Sequence, residues 1–333
     1  MVCPLPMHLI NMASSDRLIM IQLIECVPNF SEGRNQSKVN AIADEISKVQ
    51  DVELIGLEMD YDHNRSVMTC IGVPNGIGLA VYNACLKATE LIDLREHQGV
   101  HPRIGATDVI PLIPLVNASM AECVTMARVI GRRIAHTISI PVFYYGSASL
   151  KPQNEILANI RRGEFESMVH NSMLDNQLGQ DIGPSRIHHS AGAVAIGVRD
   201  ILIAFNINLR SGNIKIARQL AREIRERDGG LPGVKALGFK LHREQCVQIS
   251  MNITDYRKTS LSEVYRVISL KSHQMGVGIL NSELVGLVPE EAFGNATPAD
   301  LKMKNMTPHR YINSHVRRVT QNLDACSKDS DFR

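Results

Sequence analysis

The residues best suited to chemistry lie in one short segment, residues 96–108. Its functional side chains are His97, His101, Arg103 and Asp108. Glycine and proline interrupt regular structure there, which predicts a loop that displays side chains from a rigid scaffold. A histidine in such a loop titrates near neutrality and can both accept and donate a proton. We predict that His101, which lies between Gly99 and Pro102, carries out proton transfer.

A second loop of breakers and polar residues, 181–192, holds the adjacent pair His188 and His189. If the two loops meet, four imidazoles could bind zinc. However, His97 and His101 lie in a Gly/Pro loop, not on a helix that would align them, and no HExxH glutamate accompanies them. Three interpretations therefore stay open for each histidine: metal ligand, side chain satisfied by backbone hydrogen bonds, or proton-transfer group. The last is favoured for His101.

Other polar positions are ambiguous. Residues 60–65, Asp-Tyr-Asp-His-Asn-Arg, separate two predicted strands and indicate a turn or a site equally well. Asn29 either caps a turn or contacts a ligand ring through its amide. The sequence around Gly183 matches neither nucleotide-binding glycine pattern, so no phosphate loop is predicted. There is no Gly-x-Ser-x-Gly segment and no cysteine in a comparable loop, so covalent nucleophilic catalysis is unsupported.

Composition excludes several classes of function. The 333 residues predict two domains, or one domain of two similar halves. With 36 basic and 34 acidic residues, a net charge of +2 and no tryptophan, the chain does not resemble a nucleic-acid or membrane-surface protein. No apolar run of about eighteen residues indicates a membrane span. A locally positive cleft for a small anionic molecule remains compatible with this balance.

The seven cysteines are scattered, odd in number and without a CxxC pair. They are typical of buried thiols in a reducing compartment, which predicts a cytoplasmic protein. Residues 1–19 contain a short apolar patch broken by Pro4 and Pro6 and preceded by no basic residue. We predict a disordered extension there instead of a signal peptide.

Hydrophobic periodicity predicts the same β-α-β-β-α-β order twice, which is the ferredoxin-like or split βαβ order. The predicted elements are β 21–27, α 37–49, β 52–58, β 65–72, α 76–93 and β 108–115, and then β 201–209, α 213–227, β 234–242, β 246–253, α 260–272 and β 276–280. Between the halves, helix 119–135, strand 140–145, a short helix near 154–162 and strand 193–197 are predicted, with 163–192 irregular. Beyond about 295 the chain is expected to be peripheral, with one helix near 310–322. Two such sheets would leave a cleft between them for a ligand.

Six segments, in chain order, resemble the glutamate formiminotransferase family. They are CVPNFSEG at 26–33, HNRSV at 63–67, HPRIGATD at 101–108, GPS at 183–185, LIAFNINL at 202–209 and LVGLVP at 284–289. The similarity runs from about residue 23 to 293. It implies transfer of the formimino group from N-formimino-L-glutamate to N5 of tetrahydrofolate, a step of histidine degradation that requires no metal. It also implies an α/β fold (an α+β sandwich) of two subdomains with a positively lined ligand tunnel between them, in a homodimer.

The resemblance also implies roles for individual residues. It assigns the catalytic histidine to His101 and a pocket position to Asn29. The implied folate-binding segment comprises Gly183, Pro184, Ser185, Arg186, Ile187, His188, His189, Ser190, Ala191 and Gly192. Because both substrates carry glutamate carboxylates, Arg65 and Arg103, with Asn64, are candidates to bind them. Arg103 alternatively holds its own loop in shape. No residue is assigned to a metal.

The expected domains are an extension (1–19), an N-terminal subdomain (20–200), a C-terminal subdomain (201–325) and a tail (326–333). Some relatives carry a fused cyclodeaminase, which is not found in this sequence, so we expect a separate enzyme to consume the product. Two rival hypotheses remain. One is a folate-binding homologue without turnover; the other is a metal-assisted amidohydrolase that uses His97, His101 and His188.

Overall fold

The computed structural model describes residues 21–61, 63–99, 101–174, 178–241 and 244–330. Its strands are β1 Leu23–Cys26, β2 Asn29–Phe30, β3 Val52–Asp60, β4 Arg65–Gly72, β5 Thr107–Val116, β6 Val142–Gly146, β7 Val194–Val198, β8 Ile203–Leu209, β9 Val234–Leu241, β10 Cys246–Ile253 and β11 Ile279–Val285. Its α-helices are α1 Gln36–Ser47, α2 Pro74–Leu91, α3 Met120–Thr137, α4 Leu157–Ile160, α5 Glu164–Leu174, α6 Ile214–Ile224, α7 Leu261–Gln274 and α8 Ile312–Ser330. The extension predicted over 1–19 lies outside the described residues.

The predicted ferredoxin-like order is confirmed in both halves. In the N-terminal sheet β5, β1, β4 and β3 are neighbours, and every adjacent pair is antiparallel. In the C-terminal sheet the order is β11, β8, β10, β9, again antiparallel throughout. Each sheet packs one face against its helices and buries a separate hydrophobic core there. Beyond β5 the N-terminal sheet continues with β7 and β6 as parallel strands.

The first predicted strand, 21–27, is shorter in the structure (β1), and a second short strand, β2, follows it. Both β1 and β2 lie between β4 and β5. Pro28 separates them because a proline has no backbone N–H to donate to the ladder, although its carbonyl still accepts from Met68 N at 3.0 Å. This break places Asn29 at the start of β2, buried and opposite Val67 and Val109.

Three further predictions about the fold were wrong. Residues 164–174, predicted to be irregular, form α5, whose buried side chains Phe165 and Met168 pack in one cluster with Val109 and Ala195. Two buried positions are too few to show a helical period in the sequence. The last strand runs to Val285 instead of ending at residue 280. The sequence pattern hides its second half, because polar Asn281 and Glu283 interrupt the apolar alternation and a bulge follows Ile279.

The third error concerns the end of the chain, which was expected to be peripheral. Helix α8 runs to residue 330, through part of the predicted tail, and packs Ile312 and Val319 against Leu23 and Ile71 of the N-terminal sheet. Polar contacts reinforce this packing: Arg310 Nη1 lies 3.2 Å from Glu58 Oε1, which also accepts from the backbone N–H of Gly286 at 3.0 Å. The C-terminal half therefore reaches back and covers part of the N-terminal sheet.

Among the described residues, the helices are too short or too polar to cross a lipid bilayer.

Replacement of Val319 by alanine should lower the free energy of unfolding by roughly 1–3 kcal/mol, because it leaves a cavity in a packed contact. Val319 is 4% exposed, whereas Val129 on α3 is 54% exposed. Urea unfolding of both valine-to-alanine variants checks this. Equal stabilities for the two variants would show that α8 does not stabilise the N-terminal sheet.

Candidate functional site

Three loops meet at one end of the N-terminal sheet. They are the segment after β2, the β3–β4 turn (61–64) and the segment between α2 and β5 (92–106), called here the histidine loop. Together they line a narrow crevice that does not admit a water-sized sphere. Its lining residues are Ser31, His63, Asn64, Arg65, His97, His101, Arg103 and Asp108. The structure thus brings four of the predicted site residues together: His101, Arg65, Asn64 and Arg103.

His101 is held as a neutral base. Its Nε2 lies 2.6 Å from Arg65 Nη1, and since a guanidinium can only donate, Nε2 accepts and the proton of the neutral ring is on Nδ1. Burial, then the positive charges of Arg65 and Arg161, and then the neighbouring His63, lower the pKa of His101 from 6.5 to about 3. In the free protein His101 is therefore unprotonated at neutral pH.

His97 connects two other parts of the site. Arg103 Nε donates to its Nδ1 at 3.1 Å, so Nε2 carries the proton and donates to Asn64 O at 2.9 Å. Burial is the main cause of its lowered pKa. Both ring nitrogens of His97 are hydrogen-bonded within the protein. The geometry therefore supports a structural role for this histidine.

Asn64 ties the loops together through both polar atoms of its side chain. Its Oδ1 accepts from Gly33 N at 2.9 Å, and its Nδ2 donates to Gln98 O at 3.1 Å. The backbone of Asn64 is left-handed, with φ of +48°, which asparagine tolerates better than most residues. Gly99 is required nearby, since a Cβ there would lie 2.3 Å from His63 O. These contacts favour a role for Asn64 in positioning the loops.

Arg103 is bound by two glutamates of α5. Its Nη1 lies 2.8 Å from Glu164 Oε2, and its Nη2 lies 2.6 Å from Glu166 Oε1. Only 8% of the residue is exposed. Its guanidinium is thus occupied within the protein, which favours the alternative in which Arg103 holds its loop in shape. The sequence analysis missed both glutamates, because they lie about sixty residues away in the segment predicted to be irregular.

Arg161 is a further cation that the sequence analysis did not single out. It forms an ion pair with buried Asp108, whose other oxygen accepts from Ile104 N at 2.9 Å. Its Nε is buried and has no hydrogen-bond partner among the described residues. Arg161 lowers the pKa of Arg65, and both arginines lower the pKa of His101. The two guanidinium groups and the imidazole therefore lie close together.

His63 is the second imidazole of the crevice. Its Nδ1 lies 2.7 Å from Asp60 Oδ2, and its backbone N–H donates to Asp60 Oδ1 at 2.9 Å. The ring centroids of His63 and His101 are 5.9 Å apart, with the edge of one ring towards the face of the other.

The predicted folate segment packs behind the histidine loop. Ala106 N donates to Ala191 O at 2.8 Å, and Ala193 N donates to Ile104 O at 2.9 Å. Gly192 has φ of +73°, and a Cβ there would lie 2.1 Å from Ile104 O, so this close approach requires glycine. Gly183, Pro184 and Ile187 are half-buried, whereas Ser185, Arg186 and His189 are exposed.

The histidines considered as possible zinc ligands have other contacts. His188 Nδ1 accepts from Ala191 N at 3.0 Å, and its ring stacks on His189 with centroids 4.6 Å apart. Asn29 donates from Nδ2 to Val27 O at 2.8 Å. No three histidine, cysteine, aspartate or glutamate side chains in the described ranges are grouped as a metal ion would need.

Two family models together match nearly all of both halves. The N-terminal subdomain of the formiminotransferase domain matches residues 23–199, and the formiminotransferase domain matches residues 204–323. The chain belongs to the formiminotransferase family. The predicted resemblance is therefore confirmed, and each of the two matched segments corresponds to one sheet with its helices.

Relatives from distant organisms resemble this formiminotransferase chain over most of its length. Glutamate formimidoyltransferase of Thermoplasma acidophilum is 43% identical, over 82% of this chain and 90% of the relative. The protein of the same name from Streptococcus pyogenes is 36% identical, over 88% and 98% respectively. Formimidoyltransferase-cyclodeaminase of Rattus norvegicus is 38% identical, over 83% of this chain but 52% of its own length.

NMR of ¹⁵N-labelled histidine should show that His101 remains neutral at about pH 5, where an unperturbed histidine is mostly protonated. Since its pKa lies near 3, protonation requires much lower pH. Replacement of Arg65 by methionine removes one of the lowering charges and should raise the pKa of His101. His101→Gln assigns the signal. A wild-type midpoint near 6.5 would contradict the buried, cation-flanked environment.

Replacement of Arg103 by lysine should destabilise the protein by about 1–2 kcal/mol, because lysine cannot bind both glutamates and His97 at once. The loss is smaller than for a fully buried pair, since Glu166 is 62% exposed. The matched control is Arg95→Lys, since Arg95 is 60% exposed and forms its salt bridge with nearby Asp93 on the surface. Unchanged stability of Arg103→Lys together with weaker ligand binding would instead assign Arg103 to the ligand.

Proposed function

We propose that this protein transfers the formimino group from N-formimino-L-glutamate to N5 of tetrahydrofolate and releases 5-formiminotetrahydrofolate and L-glutamate. The observation that carries the proposal is His101, held neutral with an accepting Nε2 beside Arg65 in the crevice. Membership of the formiminotransferase family supplies the chemistry. A neutral imidazole is the form that a general base needs at the start of the reaction.

The reaction requires one proton to leave and another to arrive. N5 of the reduced pterin loses a proton as it attacks the amidine carbon, and the glutamate nitrogen gains one as it departs. His101 accepts the first proton at Nε2. In the free protein this lone pair points to Arg65, so the base is protected and its pKa is low. A substrate carboxylate that binds Arg65 neutralises the guanidinium and raises the pKa of His101 towards the working range.

The positive charge of the site suits substrates that carry carboxylates. We assign substrate recognition to Arg65, supported by Arg161, whose Nε has no partner among the described residues. Arg103 and Asn64, the other substrate-binding candidates, are assigned to positioning because their polar atoms are occupied by protein groups. Asn29 and residues 183–192 remain the proposed folate contacts.

The crevice is closed in this structure and must widen before the reacting groups can enter. Its free space does not admit a water-sized sphere, whereas sites that bury drug-sized ligands measure roughly 300–1,000 Å³. We therefore place the amidine and the N5 edge of the pterin beside His101 and Arg65, and the rest of the folate in the space between the two subdomains. Arg65 would hold the substrate carboxylate there.

We further propose that the enzyme acts without a metal, as a homodimer in the cytoplasm, and that a separate cyclodeaminase consumes its product. The hydrogen bonds of the His97 and His188 rings to protein groups support catalysis without a metal. The relatives named glutamate formimidoyltransferase, which this chain covers almost completely, support the transferase activity.

Formation of 5-formiminotetrahydrofolate from the two substrates, with EDTA present, tests the proposal. We expect wild-type activity to survive EDTA and His101→Ala to lose about 10²–10⁴-fold in kcat, the contribution typical of a general base. His136→Ala on the exposed face of α3 is the control and should retain activity. Tetrahydrofolate binding without turnover in the wild type would favour a folate carrier. Activity lost in EDTA and restored by zinc would favour an amidohydrolase.

A further inference from the structure

His63 lies at the mouth of the crevice with a carboxylate behind it. Its side chain is 44% exposed, and the Asp60 side chain is 51% exposed. Both residues belong to the end of β3 and the turn that leads to β4. His63 shares the crevice with His101, and the two rings are 5.9 Å apart. Two imidazoles therefore flank the same small volume.

The turn itself does not need the imidazole ring. Asp60 Oδ1 already closes the turn by accepting from the backbone N–H of residue 63, a bond that any non-proline residue at this position could make. The second carboxylate oxygen binds the ring at Nδ1, at 2.7 Å. An ionised carboxylate accepts only, so it holds the proton on Nδ1 and leaves Nε2 as the nitrogen that exchanges protons.

The proposed transfer requires two proton transfers, and His101 is poorly suited to carry out both. The attacking and departing nitrogens are bonded to the same carbon, and each undergoes a proton transfer. Arg65 and Arg161 both oppose a positive charge on His101, whereas His63 has the anionic Asp60 as its direct partner. Among the described residues, the charged or titratable groups near His63 are Asp60 on β3, Arg65 on β4 and His101 on the histidine loop. Arg34, which bonds Tyr61 O, lies against the same turn.

We infer that His63 is a second catalytic residue, the general acid that protonates the departing glutamate nitrogen, with Asp60 as its positioning residue. This inference rests on the proposed transferase function. In the tetrahedral intermediate, Nε2–H of the His63 imidazolium gives its proton to the glutamate nitrogen as the carbon–nitrogen bond breaks. His101 keeps the proton from N5. Solvent then takes one proton from His101 and returns one to His63, so protons balance over a turnover.

His63→Asn is the decisive variant, because its amide can still donate to Asp60 in place of Nδ1 but cannot exchange a proton. We expect its kcat to fall at least about 100-fold with KM nearly unchanged, in the range of general acid catalysis. The decline of kcat at high pH, which reports loss of the acid's proton, should disappear. Asp60→Asn keeps the turn acceptor but removes the charge, and it should move that decline to lower pH. His136→Asn is the control that should retain wild-type kinetics.

Added imidazole provides a second measurement that a structural role would not affect. Because His63 is partly open to solvent, imidazole in the buffer should restore part of the activity of His63→Gly. A His63→Asn enzyme within about threefold of the wild-type kcat, or a pH profile unchanged in that variant, would overturn the inference while leaving the transferase function intact. Absence of transfer by the wild-type enzyme would instead reject the proposed function, and this inference with it.

Discussion

The site depends on one buried guanidinium, that of Arg103. A buried charge is stable only when it is paired and hydrogen-bonded, and two α5 glutamates meet this requirement. From Arg103 a continuous series of hydrogen bonds runs to His97, to the backbone of Asn64, and through the Asn64 side chain to Gly33. Each donor and acceptor in it is determined, because arginine only donates. This series joins helix α5 to all three loops of the crevice.

The consequence for chemistry is that the reacting groups are positioned before any substrate arrives. Asn64 is followed directly by Arg65, so the bonds that hold Asn64 also place the Arg65 guanidinium beside His101. Groups positioned in advance need little rearrangement during reaction, which is where much of the electrostatic part of catalysis arises. Flexible loops would allow His101 to move into solvent, where its pKa would return towards the ordinary value. The same bonds therefore determine geometry and protonation state.

The fold was largely predictable because its two halves repeat one periodic pattern. Strand β10 alternates between Val247, Ile249 and Met251 on the core side and polar residues on the other, and this alternation gives the sheet assignment directly. The errors occur where local pattern carries little information. Helix α5 buries few side chains, and α8 buries its apolar face against strands about 250–290 residues earlier in the chain. No sequence window shows which distant surface an amphipathic helix will cover.

The loops that form the site could be predicted from the sequence, but the role of each side chain in them could not. Residue types and the family resemblance indicated His101, Arg65 and Arg103 alike, and each arginine lies two residues after a histidine in its motif. Their environments separate them: the donors of Arg103 meet carboxylates of α5, whereas Arg65 contacts the base itself. That difference comes from Glu166, about sixty residues away in sequence. A side chain's role is decided by the partners that the fold brings to it, and those partners are not encoded in its neighbouring residues.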